Sequence, residues 1–160
     1  MDMTGEITLA APRERVWSAL NDPAVLKDAI PGCEMLEKVS DTEFTATVVT
    51  KVGPVKAKFS GRVVLTDIVA PVSYTIRGEG QGGIAGFAKG GADIALEATD
   101  QSQTTLRYAV KAQVGGKIAQ LGARLIDSTA KKLSAQFFDR FAAIVTGSIP
   151  QTTSAEAAGE

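Results

Sequence analysis

The chain has 160 residues, 44% of them apolar, and a formal net charge of -1 at pH 7. This length fits one domain with a sizeable core, and the near-neutral charge argues against a nucleic-acid-binding protein. No apolar run is long enough for a membrane-spanning helix, and the N-terminus lacks the basic and apolar regions of a secretory signal. Histidine is absent and Cys33 is the only cysteine, which excludes histidine-dependent catalytic sites and an intrachain disulfide. We therefore expect a cytoplasmic protein without a metal centre or a resident cofactor.

The N-terminal segment predicts one short strand followed by two short helices. Residues 6–10 alternate like a strand, and Arg13–Leu20 carries apolar side chains on one helical face. A second helix begins at Asp22, a residue type that favours the N-cap, and Pro23 suits its first turn. The Ile-Pro-Gly sequence at residues 30–32 ends it.

A meander of about six strands follows, because apolar and polar side chains alternate with a period of two. These strands are predicted at residues 35–39, 44–52, 55–69, 74–78, 87–98 and 104–114. One face of each strand is apolar and the other is polar, which is typical of an antiparallel sheet with one buried face.

Glycines crowd the stretch IRGEGQGGIAGFAKGGAD at residues 76–93. Gly78, Gly80 and Gly83 match the GxGxxG spacing of dinucleotide-binding proteins, which requires a helix directly afterwards. The following residues instead alternate like a strand, so the glycines indicate bent strands rather than a nucleotide site.

A single long helix is predicted over residues 117–145, with Gly147 as its end. Its apolar stripe comprises Ile118, Gly122, Leu125, Ile126, Thr129, Leu133, Phe137 and Ile144. At about 1.5 Å per residue this helix is long enough to cross a curved sheet. Residues 147–160 are small and polar, and we expect them to form a flexible tail after one domain of residues 1–146.

Small residues are frequent on the strand face that should meet this helix. They are Ala57, Gly61, Gly78, Gly80, Ala92 and Ala112. Two outcomes are open: the core fills with side chains from elsewhere, or an apolar cavity remains between helix and sheet. We expect the cavity, since binding sites for small molecules are concave and mostly apolar.

Four segments resemble one protein family over almost the whole predicted domain. They are PxxxVWxALNDP at residues 12–23, IPGCE at 30–34, GFAKGGAD at 86–93 and VGGKIAQLGARLIDSTAKKLSAQFF at 114–138. Together they resemble the CoxG family of carbon monoxide dehydrogenase proteins, which belongs to the START-like (SRPBCC) helix-grip superfamily. The resemblance implies an α+β, Bet v 1-like fold, in which seven antiparallel strands curve around a C-terminal helix and an internal ligand cavity.

The resemblance also implies an accessory of a carbon monoxide dehydrogenase-type molybdenum hydroxylase, linking that enzyme to the inner face of the cell membrane and its quinone pool. We accordingly expect a quinone or a lipid as ligand. The candidate cavity residues are Trp17, Ile30, Phe59, Ile76, Phe87, Gly122, Leu125, Thr129, Leu133 and Phe137. Candidate polar contacts are Lys89, Gln136 and Arg140, although a solvated outer face is the alternative for Lys89.

Further candidates concern the surface and the reactive side chains. Lys51, Lys56, Lys58 and Arg62 form a basic stripe, and Phe138 is an exposed apolar residue. Either could contact a partner or a membrane, although an ordinary solvated surface is the simpler interpretation of both. Cys33 is either a reactive thiol or, more simply, a half-buried small hydrophobe. Two functions compete with the carrier: a docking factor acting through its surface, and a START-like cyclase or hydrolase using Tyr74, Tyr108 and Asp93.

Overall fold

Seven antiparallel strands form one sheet against a long C-terminal helix in this computed structural model, which describes residues 1–147. The elements are β1 (Asp2–Leu9), α1 (Arg13–Leu20), α2 (Pro23–Ala29), β2 (Cys33–Ser40), β3 (Glu43–Val52), β4 (Val55–Val69), β5 (Ser73–Gln81), β6 (Phe87–Asp100), β7 (Gln103–Gly115) and α3 (Ala123–Thr146). The strand order β1-β7-β6-β5-β4-β3-β2 is a meander with β1 added beside β7. The predicted helix-grip fold is confirmed.

Local sequence signals account for the short helices. The Asp22 carboxylate accepts a hydrogen bond from the Ala24 amide at 2.9 Å, which caps α2, and Pro23 occupies its first position. The chain is extended at Ile30, before Pro31, as the steric restriction on a residue preceding proline requires.

The predicted long helix is wrong at its N-terminal end. Lys117–Leu121 forms a short 3-10 turn, and α3 begins only at Ala123. Gly122 separates them with a φ of 99°, a backbone conformation that cannot continue a right-handed helix. Gly147 ends α3 in the left-handed conformation, with a φ of 70°. The remainder of the predicted tail lies outside the described residues.

The glycine-rich stretch forms the β5–β6 hairpin, with a three-residue 3-10 turn at Gly83–Ala85 between the strands. The prediction that a strand follows the GxGxxG spacing is confirmed. A Cβ atom on Gly61 of β4 would collide with the Glu79 carbonyl oxygen of β5. Glycine therefore permits a close backbone approach in the middle of the sheet, where a bend is needed.

The core lies between the inner face of the sheet and the helices. Its main cluster joins α1, α2 and the C-terminal half of α3 to the strands; the largest fully buried side chains are Phe141, Leu9, Leu106, Val16 and Thr104. A smaller cluster lies near the β3–β4 hairpin and contains Val52, Ala57, Ala85 and Ile118. Two separate clusters leave the stretch of sheet between them incompletely filled.

Candidate functional site

An apolar cavity of about 290 Å³ lies between α3 and the inner face of the sheet. Its lining residues, which define the apolar cavity below, are Ile30, Pro31, Val48, Ile94, Tyr108, Val110, Leu133, Ser134, Phe137 and Phe138. Only Tyr108 and Ser134 in this set carry polar side-chain groups. Such a lining favours an apolar ligand. A polar group of the ligand would lose its hydrogen bonds to water there and find few partners in their place.

The strand register places both large side chains and glycines on the inner face of the sheet. Paired residues share a face of the sheet, and Ile94 lies opposite Tyr108 on the inner face. Further along the same face, Gly78 pairs with Gly90, and Gly61 pairs with Gly80. Little side-chain volume therefore rises from the middle of the sheet toward α3.

Three aromatic rings form the rigid wall of the apolar cavity. The Tyr108 and Phe138 rings stack with centroids 5.0 Å apart, and Phe137 meets Phe138 edge-to-face at 5.1 Å. Phe137 also stacks on the buried Phe141 at 5.6 Å, which ties the wall to the main core. Aromatic pairs of this kind hold their geometry more firmly than aliphatic contacts of similar area.

A second, wider groove of about 730 Å³ adjoins the apolar cavity. Its lining residues, which define the basic groove, are Pro31, Gly32, Val49, Thr50, Lys51, Gly53, Lys56, Leu125, Ser128, Thr129, Lys132, Leu133 and Gln136. Pro31 and Leu133 line both spaces, so the two are neighbours. Three lysines and no carboxylate belong to the lining of the basic groove.

A family model for CoxG, the G component of carbon monoxide dehydrogenase, matches residues 5–146. The chain belongs to the CoxG family. It is similar to a conserved protein from Geobacillus kaustophilus, with 33% identity, a TM-score of 0.86, and coverage of 92% of this chain and 97% of that chain. No curated protein matches the sequence.

More distant structures share the fold alone. A START superfamily protein from Mycobacterium smegmatis is 11% identical with a TM-score of 0.70, over 92% of this chain and 99% of that chain. The ZhuI aromatase/cyclase from Streptomyces sp. R1128 is 12% identical with a TM-score of 0.69, over 91% of this chain and 93% of that chain. No helix within residues 1–147 of this CoxG-family chain is long and apolar enough to cross a membrane.

The structure brings together six of the residues predicted to bind a ligand. Ile30 and Phe137 line the apolar cavity, and Leu133 lines both spaces. The other three, Leu125, Thr129 and Gln136, line the basic groove. The Thr129 hydroxyl donates a hydrogen bond to the Leu125 carbonyl oxygen at 2.8 Å, which explains how a threonine is accommodated on this stripe of α3.

The other predicted cavity residues lie elsewhere. Trp17 meets Tyr74 edge-to-face at 5.2 Å in the main core, against which Ile76 also packs. Phe59 packs in the smaller cluster, Phe87 covers Gly115, and Gly122 is exposed. Side chains from neighbouring strands and α1 fill the space around these aromatic residues, so none of the five lines the apolar cavity or the basic groove.

Of the three residues predicted as polar contacts of the ligand, two lie outside both the apolar cavity and the basic groove. Lys89 is exposed on the outer face of β6, in a shallow groove with Arg77 and Lys111, because its register partners Glu79 and Gln113 also point outward. This position agrees with the interpretation of Lys89 as part of a solvated outer face, and Lys89 lines neither the apolar cavity nor the basic groove. Arg140 is exposed and lines neither the apolar cavity nor the basic groove, which removes it from the predicted mouth.

The residues predicted to contact a partner or a membrane have different surroundings. Lys58 pairs with Glu34 at 3.3 Å and Arg62 with Glu43 at 3.6 Å, both at exposed positions, whereas Lys56 lines the basic groove. Phe138 is half-buried against Tyr108, so its prediction as an exposed residue is wrong. The predicted stripe left out Phe141 and Val145, the two buried residues of α3, which lie three and seven residues after Phe138 on the same side of the helix.

Cys33 is a half-buried free cysteine, and its thiol donates a weak hydrogen bond to the Met35 carbonyl oxygen at 3.4 Å. Burial raises the pKa of this thiol, and the effect outweighs the lowering by the Met35 contact and by Lys27. A raised pKa leaves less of the reactive thiolate near neutral pH. The arrangement fits the interpretation of Cys33 as a small hydrophobe.

Several lining residues were not predicted: Val48, Ile94, Val110, Ser134 and Lys132. Lys132 could have been found from the sequence, since it lies three residues after Thr129 and four before Gln136 on one helical face. The strand residues could not, because their place in the cavity depends on the register and on which stretch of sheet α3 leaves uncovered.

Proposed function

We propose that this CoxG-family protein is a non-catalytic carrier that binds a hydrophobic small molecule, a quinone or a lipid, in the apolar cavity. In this role it serves a carbon monoxide dehydrogenase-type molybdenum hydroxylase and the link of that enzyme to the membrane. The CoxG family and the START-like fold suggest the coarser role of a ligand-binding accessory.

The lining of the apolar cavity is the observation that supports ligand binding most strongly. Eight of its ten residues have apolar side chains, and the stacked rings of Tyr108 and Phe138 fix its wall. A volume of about 290 Å³ is at the lower end of the range of small-molecule sites. A planar ring or a short aliphatic chain fits such a space.

The polar side chains near the cavity support binding without catalysis. Tyr108 and Ser134 are the polar residues of the described lining, and neither is paired with a carboxylate or a lysine there. Asp93, considered above as a catalytic group, accepts a hydrogen bond from the Thr75 hydroxyl at 2.9 Å on the outer face. A general acid or base must reach the substrate, and Asp93 is on the wrong side of the sheet.

The hydroxylase partner is proposed from the family description, which names carbon monoxide dehydrogenase. A surface docking factor would assist the same partner without using the cavity. The two roles differ in one consequence: blocking the cavity abolishes the carrier function and leaves surface docking intact.

Native mass spectrometry with menaquinone and decanoic acid as separate probes tests ligand binding. We expect a one-to-one complex with at least one probe, and loss of that complex in Val110→Phe, which places a ring in the apolar cavity. The matched control is Ala109→Phe, because Ala109 is the preceding residue of β7 and is exposed on the outer face. Failure of both probes to bind the wild-type protein would contradict the carrier function, as would equal binding by Val110→Phe.

A further inference from the structure

The three lysines of the basic groove come from three elements, the paired strands β3 and β4 and the helix α3. Lys51 and Lys56 lie directly opposite each other in the β3–β4 hairpin, and Lys132 projects from α3. Like charges directly opposite in a sheet destabilise it. None of the three has a carboxylate partner among residues 1–147. The groove therefore concentrates positive charge that the described part of the chain leaves uncompensated.

Other cations of the sheet are arranged differently. Lys58, Arg62 and Arg107 each have a carboxylate partner. The cationic groove on the outer face includes Glu79 in its lining and shares no residue with the apolar cavity. Lys89 and Lys111 of that outer groove also have no carboxylate partner among residues 1–147, but of the two grooves only the basic groove shares lining residues with the apolar cavity.

The remaining polar groups of the basic groove also suit an anion. Gln136 is half-buried and its amide has no hydrogen-bond partner among the described residues, so its N–H groups are available. The Ser128 and Thr129 hydroxyls donate their hydrogen bonds to the Leu125 carbonyl oxygen, at 3.1 and 2.8 Å. Their hydroxyl hydrogens are therefore already used, and both groups are uncharged. The lysine ammonium groups and the Gln136 amide donate hydrogen bonds, and the oxygens of a carboxylate or a phosphate accept such bonds.

We infer that the ligand is an anionic amphiphile whose carboxylate or phosphate head lies against Lys51, Lys56 and Lys132 while its apolar tail enters the apolar cavity past Leu133. This inference rests on the proposed carrier function and narrows its ligand class from a quinone or a lipid to a lipid with an anionic head group. Leu133 and Pro31 line both spaces, so one molecule can occupy the two without crossing another wall. A volume of about 290 Å³ suits a short or partly inserted chain.

A matched pair of monomeric probes tests the head group. Decanoate and decanol have the same tail and differ in charge, so we expect isothermal titration to give at least tenfold tighter binding of decanoate. Decyl phosphate should behave like decanoate. Raising the salt concentration should lower the binding affinity of both anionic probes and leave the affinity of decanol unchanged, because only the charged contacts are screened.

A triple variant, Lys51→Gln, Lys56→Gln and Lys132→Gln, should lose about tenfold in decanoate affinity and keep its decanol affinity. The control removes three exposed lysines outside both spaces, Lys89→Gln, Lys111→Gln and Lys131→Gln, and should bind decanoate within about twofold of the wild-type protein. Because all six positions are exposed, circular dichroism should give unchanged spectra for both triple variants.

The outcomes separate this inference from the carrier function. Equal affinity for decanoate and decanol, or no effect of the triple variant, would overturn the head-group assignment while the carrier function stands. Binding of inorganic phosphate as tight as decyl phosphate would overturn it in favour of a free-anion site. Binding only to vesicles of phosphatidylglycerol would overturn it in favour of membrane docking. If neither decanoate, decanol nor menaquinone binds, the carrier function itself fails.

Discussion

The two halves of α3 make different contacts with the same sheet. In the C-terminal half, Phe141 and Val145 have 0% and 2% of their surface exposed and belong to the main core. In the N-terminal half, from Ala123 to Gln136, no residue is buried, although Leu125, Ile126 and Leu133 are apolar. One amphipathic helix therefore closes the core at one end and borders open space at the other.

The partners of each half explain this difference. The C-terminal half meets large side chains of the main core, among them Leu9, Leu106 and Val16. The N-terminal half borders the hairpin of β3 and β4 and the stretch of sheet where glycines face the helix. Stability thus comes mainly from the part of α3 after Phe138, and binding is proposed for the part up to and including Phe138.

The largest expected effect comes from two phenylalanines one turn apart in α3. Phe141→Ala should lower the free energy of unfolding by about 3–5 kcal/mol, as expected for a fully buried ring. Phe137→Ala should lower the free energy of unfolding by about half as much. One side of the Phe137 ring faces the apolar cavity, so the substitution removes fewer packing contacts. Urea denaturation measures both. Equal losses would mean that the space beside Phe137 is filled in solution.

A smaller effect is expected at the start of α3. Gly122→Ala should cost about 1–3 kcal/mol because Gly122 has a φ of 99°, although a Cβ atom there would meet no other atom within 4 Å. The control Ala123→Gly should cost about 1 kcal/mol or less at the first helical position. Thermal denaturation of both variants separates backbone strain from packing. If Gly122→Ala leaves the thermal stability unchanged, the break between the 3-10 turn and α3 does not persist in solution.

The smallest effect concerns Cys33, the first residue of β2. Because burial raises its thiol pKa, the folded protein keeps the proton to a higher pH than the unfolded chain does. Iodoacetamide should therefore alkylate the native protein more slowly than the urea-unfolded protein, with its pH profile displaced upward. A native profile displaced to lower pH would identify Cys33 as an activated thiol instead.

The regular elements were predictable from the sequence because their signals are local. Arg13–Leu20 has the predicted bounds, and the alternation in Val55–Val69 identified β4. The start of α3 was not predictable from periodicity, since Ile118 fits the helical stripe and only the backbone conformation of Gly122 shows the break.

The candidate site was predictable only where one element carried it. Thr129, Leu133 and Gln136 share a face of α3 and were found together. Val48, Ile94 and Val110 come from three strands, and their meeting depends on register and curvature, which no local pattern encodes. Phe138 was assigned to the wrong face because the predicted stripe omitted Phe141 and Val145, whose burial defines the packed face of the C-terminal end of α3.

Xenon binding measures most directly whether the space beneath α3 is empty and apolar. Diffraction from crystals under xenon pressure should place a xenon atom among Tyr108, Val110 and Phe137, since spaces with apolar walls take up this gas. The Val110→Phe variant should lack that peak. Wild-type crystals with no xenon there, and with side chains in contact across the space, would contradict the account.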